Sequence, residues 1–552
     1  MESKPMACSA ESHGIDILNF CNNEEVSHSI VVVEGNVKSC GNNCQSRTVT
    51  VDRFSRSWCA PNTTIHYVSK TCYFKFILRL EKGVNTFSIK YCSFLTEFTL
   101  VFKPRNTSFC VLPLYVICKG HDGRFQAPEY EDNSIDSACD RIDVGIRLVQ
   151  SLFAEKLKQG GFGRCTFQLQ SDTNPKVPDV NVFYSNISVD DAHSKPMKDL
   201  WASLAREIMS SQLGNEKHKF VAFLSSTFYN GQSVTGSRPS HDDILKCTDG
   251  YVAMGGGGLA LIGTGCLHTW ATTVDEVEPR LINNTKVDKT LFMDDSNYRG
   301  TYGGCYASTL GATCHEMGHI FGLGHTIHGI MGTEYHFIHQ MFLTAENEGM
   351  TNTQLIGVED PSKPSNIHAT QLVKELKVDW SVSDHKPLLR RKVLALRSPS
   401  NDPLQAAAFN LNTMQSKNLH PNNTANFQFL HEVCIPEPTF DSQDNASFWP
   451  QSCLALLAYD KWINPNANEE NISGISCDRS RCIFSTHGLR VVDLRAENAK
   501  SILHWRFNQN SGVPKFCIPE HFMYPNVSSV FTIDSVGNVL KFNIKSGVLS
   551  EV

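Results

Sequence analysis

Residues 314–325 carry the side chains with the clearest capacity for chemistry. They read Cys-His-Glu-Met-Gly-His-Ile-Phe-Gly-Leu-Gly-His and contain the pattern His-Glu-x-x-His-x-x-Gly-x-x-His. Residues four apart lie on one face of a helix, so His315 and His319 can direct their imidazoles at one ion. Gly322 can end that helix in a left-handed backbone conformation, after which the chain returns His325 to the same ion. The pattern predicts one zinc ion with three histidine ligands.

Glu316 is the candidate catalytic base. It is rotated by one residue from the first histidine, which places its carboxylate beside the ion, where it can act on a water in the open fourth position. The alternative is that the three histidines are satisfied core residues and that the pattern is a coincidence. Five fixed positions of these types would coincide in only about one in ten thousand chains of this composition, so the zinc site is favoured.

The charge distribution indicates that the motif is buried. Between Arg299 and Glu334, Glu316 is the only Asp, Glu, Lys or Arg, whereas average composition would place about six charged residues there. A stripe of mostly apolar residues at helical spacing lies on the helix face opposite the histidines. Its members are Tyr306, Leu310, Thr313, Met317 and Ile320. A lone buried carboxylate is costly, and a neighbouring zinc ion would compensate that cost.

The motif and the Gly329-Ile330-Met331 that follows it resemble the metzincin clan of zinc metallopeptidases. The resemblance implies that Met331 forms the Met-turn beneath the zinc-binding histidines. More narrowly, residues 255–270 and 305–311 resemble a little-characterised eukaryotic zinc metallopeptidase family. Some fungal members of that family carry a jacalin-like C-terminal domain. No such domain is recognised here, and residues 456–462 look like the family's other C-terminal region.

Two departures limit what the resemblance transfers. Astacin-like and serralysin-like metzincins have a tyrosine two residues after the Met, which can reach the zinc, whereas this chain has Thr333 there. The cysteine-switch motif of matrix metallopeptidase propeptides is also missing. A fifth zinc ligand and a latency mechanism are therefore not implied.

The resemblance implies a zinc-dependent endopeptidase that acts on peptide or protein substrates. Glu316 would take a proton from a zinc-activated water and pass it to the leaving amine. An apolar strand between glycines would form the sheet edge on which an extended peptide lies, pairing by main-chain hydrogen bonds. The residues of that strand are Leu259, Ala260, Leu261 and Ile262.

The sequence leaves two alternatives open. The first is a non-catalytic scaffold or binding protein in which zinc only holds the fold, although a structural site would not need Glu316. The second is a zinc hydrolase that acts on a non-peptide amide.

Weaker candidates surround the motif. The side chains of His328, His336, His339 and Tyr335 could assist the transition state, but each is more readily explained as structural or surface. Adjacent Asp294 and Asp295 lack the spaced oxygens of a calcium loop and indicate a solvated turn, so no second metal is expected.

The elements that position this motif suggest a multidomain α+β protein. A flexible tail is predicted for residues 1–25, a β-sandwich-like domain for 26–112, a metzincin-like α/β catalytic domain for 113–385, and a β-rich domain for 386–552. The central segment alternates strands and helices, including a helix over 140–157. The central segment also includes a helix predicted over 366–376. The last segment shows short apolar runs typical of strands, for example 453–457 and 489–494.

The composition indicates which type of partner and which cellular compartment to expect. A net charge of -6 and a charged fraction of 19% provide no large positive field, so nucleic acid is not expected as a partner. The apolar runs are too short to cross a membrane, and no signal peptide is visible, so a cytoplasmic location is predicted, with non-classical secretion left open. The 20 cysteines are then expected to be mainly reduced, with disulfides in the N-terminal β module as the alternative. The oligomeric state is not predicted.

Overall fold

The computed structural model describes residues 14–38, 47–54, 62–233, 240–344, 439–440, 448–467, 474–507 and 512–544. The chain divides into two compact units, residues 1–378 with 437–552, and residues 379–436. The second unit and the helix predicted over 366–376 lie outside the described residues. The first unit is mixed α/β, with several sheets and few helices.

Eight N-terminal strands form two sheets around one apolar core. A three-stranded sheet has the order β1-β3-β6, and a five-stranded sheet has the order β2-β8-β7-β4-β5. The strands are β1 Gly14–Ile17, β2 Glu24–Val26, β3 Ile30–Lys38, β4 Thr48–Phe54, β5 Asn62–Tyr67, β6 Tyr73–Arg79, β7 Gly83–Tyr91 and β8 Phe94–Phe102.

The described part of the predicted tail is ordered, so that prediction is wrong for residues 14–25. Gly14–Ile17 pairs antiparallel with Ile30–Lys38, and Phe20 is buried in the core between the two sheets. The segment has too few apolar residues to show a periodic pattern, and strand pairing supplies the order instead.

The central segment contains a six-stranded sheet in which five strands are parallel. Its order is β10-β9-β12-β16-β15, β11 also pairs with β9, and β15 runs antiparallel to β16. The elements are β9 Cys110–Lys119, α1 Ile135–Gln159, β10 Gln168–Leu169, α2 Gln170–Thr173, β11 Asn181–Ser188, α3 Val189–Ser194, α4 Met197–Ser210, β12 His218–Leu224, β13 Phe228–Tyr229, α5 His241–Lys246, β14 Thr248–Asp249, β15 Ala253–Gly256, β16 Leu259–Gly263, α6 Val277–Leu281 and α7 Tyr302–Ile320. Short 3₁₀ turns lie at Gly231–Ser233, Leu267–Thr269, Val274–Glu276 and Tyr335–Met341.

The helix that carries the zinc motif is α7, and its sequence suits a buried position. The side chain of Thr301 caps it by accepting a hydrogen bond from the backbone N–H of Gly304. A Cβ at Gly311 would lie 2.0 Å from the carbonyl oxygen of Tyr335. The missing side chain lets the following chain pass close over the helix, which offsets the low helix propensity of glycine.

The C-terminal segment adds one helix and a seven-stranded sheet. The main path of the sheet is β17-β20-β19-β22-β23, and β18 and β21 also pair with β19. The elements are β17 Thr439–Phe440, α8 Gln451–Tyr459, β18 Ile475–Cys477, β19 Cys482–Arg495, β20 Ser501–Arg506, β21 Val513–Cys517, a 3₁₀ turn at Glu520–Phe522, β22 Ser529–Asp534 and β23 Val539–Asn543. Cys482 and Cys517, which face each other across β19 and β21, form a disulfide.

The prediction of a strand over 453–457 is wrong, since these residues lie within helix α8. A short run that is apolar on every side cannot be assigned to helix or strand by periodicity. In the structure α8 is buried against α1 and β19.

One large hydrophobic cluster joins the three sequence segments. It includes Ile30 and Val32 of β3, most of the buried face of α1, Met317 of α7, and Phe531 of β22. The central helices therefore pack against both β-rich segments. In the described part of the chain no helix is long and apolar enough to cross a membrane.

Candidate metal centre

Three imidazoles converge at the C-terminal end of α7. The Nε2 atom of His319 lies 3.1 Å from Nε2 of His315 and 3.1 Å from Nε2 of His325. Tetrahedral zinc with Zn–N bonds of about 2.0–2.1 Å would separate two such nitrogens by about 3.3 Å. The three side chains therefore fit one zinc ion. Among the described residues, these histidines form the group of metal-ligating side chains that lie close enough together to hold an ion.

The opposite nitrogen of each imidazole is held by a backbone carbonyl. Because each Nδ1–H can donate to its carbonyl, each Nε2 is left with a free lone pair directed at the shared point. The Nδ1–oxygen distances are 2.7 Å for His315 to Ile330, 2.9 Å for His319 to Leu323, and 2.8 Å for His325 to Asn498. Burial lowers the pKa of all three histidines, that of His315 to about 3, which favours the neutral form that binds metal.

The turn after α7 requires two glycines. Gly322 has φ +80°, and a Cβ there would lie 2.6 Å from Cζ of Phe531. A Cβ at Gly324 would lie 2.4 Å from the carbonyl oxygen of Ala499. The first glycine thus supplies the left-handed conformation expected from the motif, and both allow the C-terminal sheet to approach the turn closely.

The loop between β19 and β20 holds the third histidine. The backbone N–H of His325 donates to the carbonyl of Ala499 at 3.1 Å, and the N–H of Ser501 donates to the carbonyl of His325 at 2.9 Å. Arg495, buried against Phe531, donates to the carbonyl of Gly322 at 2.8 Å. The segment that the sequence places in a separate domain therefore forms part of the candidate metal centre.

Sequence reasoning missed this support. The groups that hold His325 are backbone atoms 173 positions away, and a backbone carbonyl has no residue signature in a single sequence.

Glu316 lies next to the edge strand of the central sheet. Its side chain is buried, and a Cβ at Gly255 would lie 2.0 Å from its backbone carbonyl oxygen. Burial raises the pKa of Glu316 to about 8, although a hydrogen bond from the backbone of Gly255 favours the carboxylate. A divalent cation at the three histidines would favour the carboxylate further.

Met331 packs directly beneath α7. It is fully buried, and a Cβ at Gly318 would lie 2.3 Å from its Sδ atom. Its carbonyl accepts a hydrogen bond from the backbone of Thr326 at 3.1 Å, which closes the loop after the third histidine. Met331 therefore packs against the helical turn that carries His319, and it follows Ile330, whose carbonyl holds His315.

A cavity of about 300 Å³ opens beside the histidines. Its walls come from α5, β15, α7, the segment after His325, and the β19–β20 loop. The lining residues are His241, Tyr251, Ala253, Asp295, Ala312, His315, Glu316, His325, Thr326, Met331, Gly332, Thr333, Tyr335, Asn498 and Lys500. Of the weaker sequence candidates, Tyr335 lines this cavity, whereas His328, His336 and His339 do not.

Two sequence expectations about this region are wrong. Leu259–Gly263, which includes Leu259, Ala260, Leu261 and Ile262, is not an edge strand, because it pairs with β12 on one side and β15 on the other. Asp294 and Asp295 do not form a solvated turn, since their side chains are 5% and 15% exposed. Ala253–Gly256 instead forms an edge of this sheet, because among the described residues it pairs only with Leu259–Gly263.

Comparisons with known proteins agree with a peptidase. The profile of the family described as "Putative peptidase family" matches residues 14–418, about three quarters of the chain. A "Putative zinc metalloproteinase" of Schizosaccharomyces pombe is 24% identical over 60% of this chain and 54% of its own length. One of Saccharomyces cerevisiae is 25% identical over 64% of this chain and 52% of its own length. The chain thus spans about half the length of these relatives. A solved β-glucuronidase of Bifidobacterium dentium aligns with 41% of this chain and 39% of its own, at 9% identity and a TM-score of 0.12.

Proposed function

The chain belongs to the putative peptidase family, and on that premise we propose that it is a zinc-dependent endopeptidase of the metzincin type. The observation that carries the proposal is the convergence of the Nε2 atoms of His315, His319 and His325 on one point, with buried Glu316 beside it. The names of the two yeast relatives support zinc as the metal. The Met331 packing supports the Met-turn assignment.

The three histidines would hold a single zinc ion through Nε2. When bound, zinc lowers the pKa of a water and polarises the scissile carbonyl. Glu316 takes the proton of the attacking water at its carboxylate and delivers it to the leaving amine nitrogen, so peptide hydrolysis needs no covalent enzyme intermediate. The burial of Glu316 raises its affinity for that proton, which suits a group that must take up and then release it.

The peptide lies along β15 in this proposal rather than along β16. Ala253–Gly256 has no second partner strand in the described part of the chain, so its outer side would offer backbone N–H and C=O groups to an extended chain, apart from the Gly255 N–H that donates to Glu316. Ala253 also lines the cavity, and Gly255 touches the backbone of Glu316. A peptide paired with this strand would therefore pass directly over the base and the metal ligands.

Tyr335 is the proposed donor to the developing oxyanion. Its side chain lines the cavity, and its ring centroid lies 5.9 Å from that of His315. In this role Tyr335 would replace the tyrosine that astacin-like and serralysin-like metzincins have at the position of Thr333. The division into an N-terminal sandwich-like domain, a catalytic domain and a C-terminal β-rich domain is part of the same proposal.

Replacing the base tests this function against a zinc scaffold. Glu316→Gln removes the base while keeping a side chain of the same shape, so the zinc content should stay the same. Cleavage of a proteome-derived peptide library should fall by about 10²–10⁴-fold. Exposed Glu216→Gln is the matched control and should cleave as the unmodified chain does. Equal cleavage by zinc-loaded Glu316→Gln protein would contradict the proposal.

A further inference from the structure

We propose that the cleft selects its substrate by charge, with Asp295 binding a basic side chain of the peptide and Lys500 binding an acidic side chain or a terminal carboxylate on the other side of the metal centre. This inference rests on the proposed peptidase function. It adds a substrate class, a peptide with opposite charges on the two sides of the scissile bond.

Asp295 presents a carboxylate to the cavity. Its neighbour Asp294 is already occupied, with Lys289 Nζ 2.6 Å away and the hydroxyl of Ser296 donating to it. Asp295 has no such donor in the part of the chain that the structure describes, and its ion-pair partner there is Nδ1 of His241 at 3.8 Å, which carries a charge only when it is protonated. Burial raises the pKa of Asp295, and a largely buried carboxylate without a strong partner favours a cation that brings its own hydrogen bonds.

The surroundings of Asp295 place it on the substrate side of the site. Burial, and then the negative charge of Asp295, raise the pKa of Tyr335, whose ring faces His315. The same two effects raise the pKa of Tyr251. Both phenols line the cavity with Asp295, so a basic side chain bound by Asp295 would share the cavity with two aromatic rings, which also favour cations.

Lys500 presents the opposite charge at the other end. It lies in the β19–β20 loop and pairs with His325 in a parallel bridge, and its side chain lines the cavity with Asn498. Among the described residues no carboxylate lies within about 4 Å of its Nζ, the limit for an ion pair. Arg495, the last residue of β19, differs, because Asp493 neutralises it at 2.6 Å. Of these two side chains, that of Lys500 therefore carries the positive charge without a carboxylate partner in the described part of the chain.

The two charges bracket the metal ligands along α7. The Asp295 loop packs against the start of the helix, where a Cβ at Gly304 would lie 2.9 Å from Cβ of Ser296. The loop that carries Lys500 packs beyond the end of the helix, at His325. The histidines lie between these positions, so a peptide that crosses the site must pass one charge before the metal centre and the other after it.

The arrangement predicts a measurable preference. Complementary charges in a cleft with few competing partners favour the matched ligand and penalise like charge. Peptides with a basic residue on the Asp295 side and an acidic residue on the Lys500 side should be cleaved about tenfold faster in kcat/KM than neutral peptides of the same length.

The test is a positional-scanning peptide library digested by the full-length zinc-loaded protein. The variants are Asp295→Asn, Asp295→Lys, Lys500→Gln and Lys500→Glu, with Glu216→Gln and Lys176→Gln as exposed controls away from the cleft. Neutral variants should lose the preference at one position only, and the reversed variants should switch it to the opposite charge. A switch cannot arise from a damaged fold, and zinc content and thermal unfolding check each variant.

The outcomes separate this inference from the function on which it rests. If peptides are cleaved but charge has no effect, or the variants leave the ranking unchanged, charge selection is wrong and the peptidase stands. If the zinc-loaded protein cleaves no peptide, both fail. A preference that moves at a single position with each variant supports both.

Discussion

Gly324→Ala should weaken zinc binding without touching a ligand. A Cβ at this position would lie 2.4 Å from the carbonyl oxygen of Ala499 and 3.1 Å from Nε of Arg495. An ordinary C···O contact is about 3.3 Å or longer, so the β19–β20 loop would have to retreat by about 0.9 Å. The backbone hydrogen bond from His325 to Ala499, now 3.1 Å, would lengthen to about 4 Å and be lost.

The consequence for zinc follows from the same contact. The loop that retreats also carries the Asn498 carbonyl that orients the imidazole of His325. Removing this type of support lowers metal affinity by about 10–100-fold. Zinc affinity is measured by competition with a chromophoric chelator, and the peptide cleavage rate at saturating zinc is measured alongside it.

The matched control is Gly256→Ala. A Cβ added at this glycine would have no heavy atom within 4 Å, and its backbone is not left-handed, so zinc affinity should not change. Unchanged zinc affinity in Gly324→Ala, with the thermal midpoint also unchanged, would refute the conclusion that the C-terminal loop holds the third ligand.

Two further predictions concern the core and the proposed oxyanion donor. His28 is fully buried, and burial lowers its pKa to about 3. Between about pH 6.5 and 3 the unfolded chain therefore binds more protons than the folded chain, so the free energy of unfolding falls as pH drops through this range. Between pH 6.5 and pH 5 the His28→Leu variant should lose about 2 kcal/mol less unfolding free energy than the unmodified chain, as measured by denaturant titrations. An equal loss in the variant and the unmodified chain would show that His28 is not responsible. Tyr335→Phe should lower kcat by about 100-fold while KM and zinc content hold, and an unchanged kcat would remove Tyr335 from the proposed mechanism.

The local part of the site can be predicted from the sequence. The i, i+4 spacing of His315 and His319 and the turn at Gly322 depend on helix geometry and backbone sterics within about twelve residues. The structure accordingly brings all three histidines together where the pattern places them. Helical spacing of apolar residues predicts a helix over 140–157, and α1 extends over Ile135–Gln159.

The predictions that are wrong depend on distant pairing. Both strands flanking Gly257 and Gly258 are short and apolar, so the sequence does not show which of them also pairs with β12. That pairing leaves β15 at the edge instead of Leu259–Gly263. The prediction for Asp295 is wrong for a similar reason, because its burial comes from packing near His241 and Tyr251 rather than from its neighbours in sequence.

In this proposal, three imidazoles and one carboxylate form a working zinc centre. X-ray absorption at the zinc edge of the full-length protein, with metal quantification and peptide-library digestion on the same sample, measures the ligands, the zinc content and the activity of this centre together. We expect one zinc per chain, three nitrogen ligands and one light-atom ligand at about 2.0–2.1 Å, and cleavage that chelation abolishes and zinc restores. Zinc bound by sulfur ligands, or a fully loaded centre that cleaves no peptide, would contradict it.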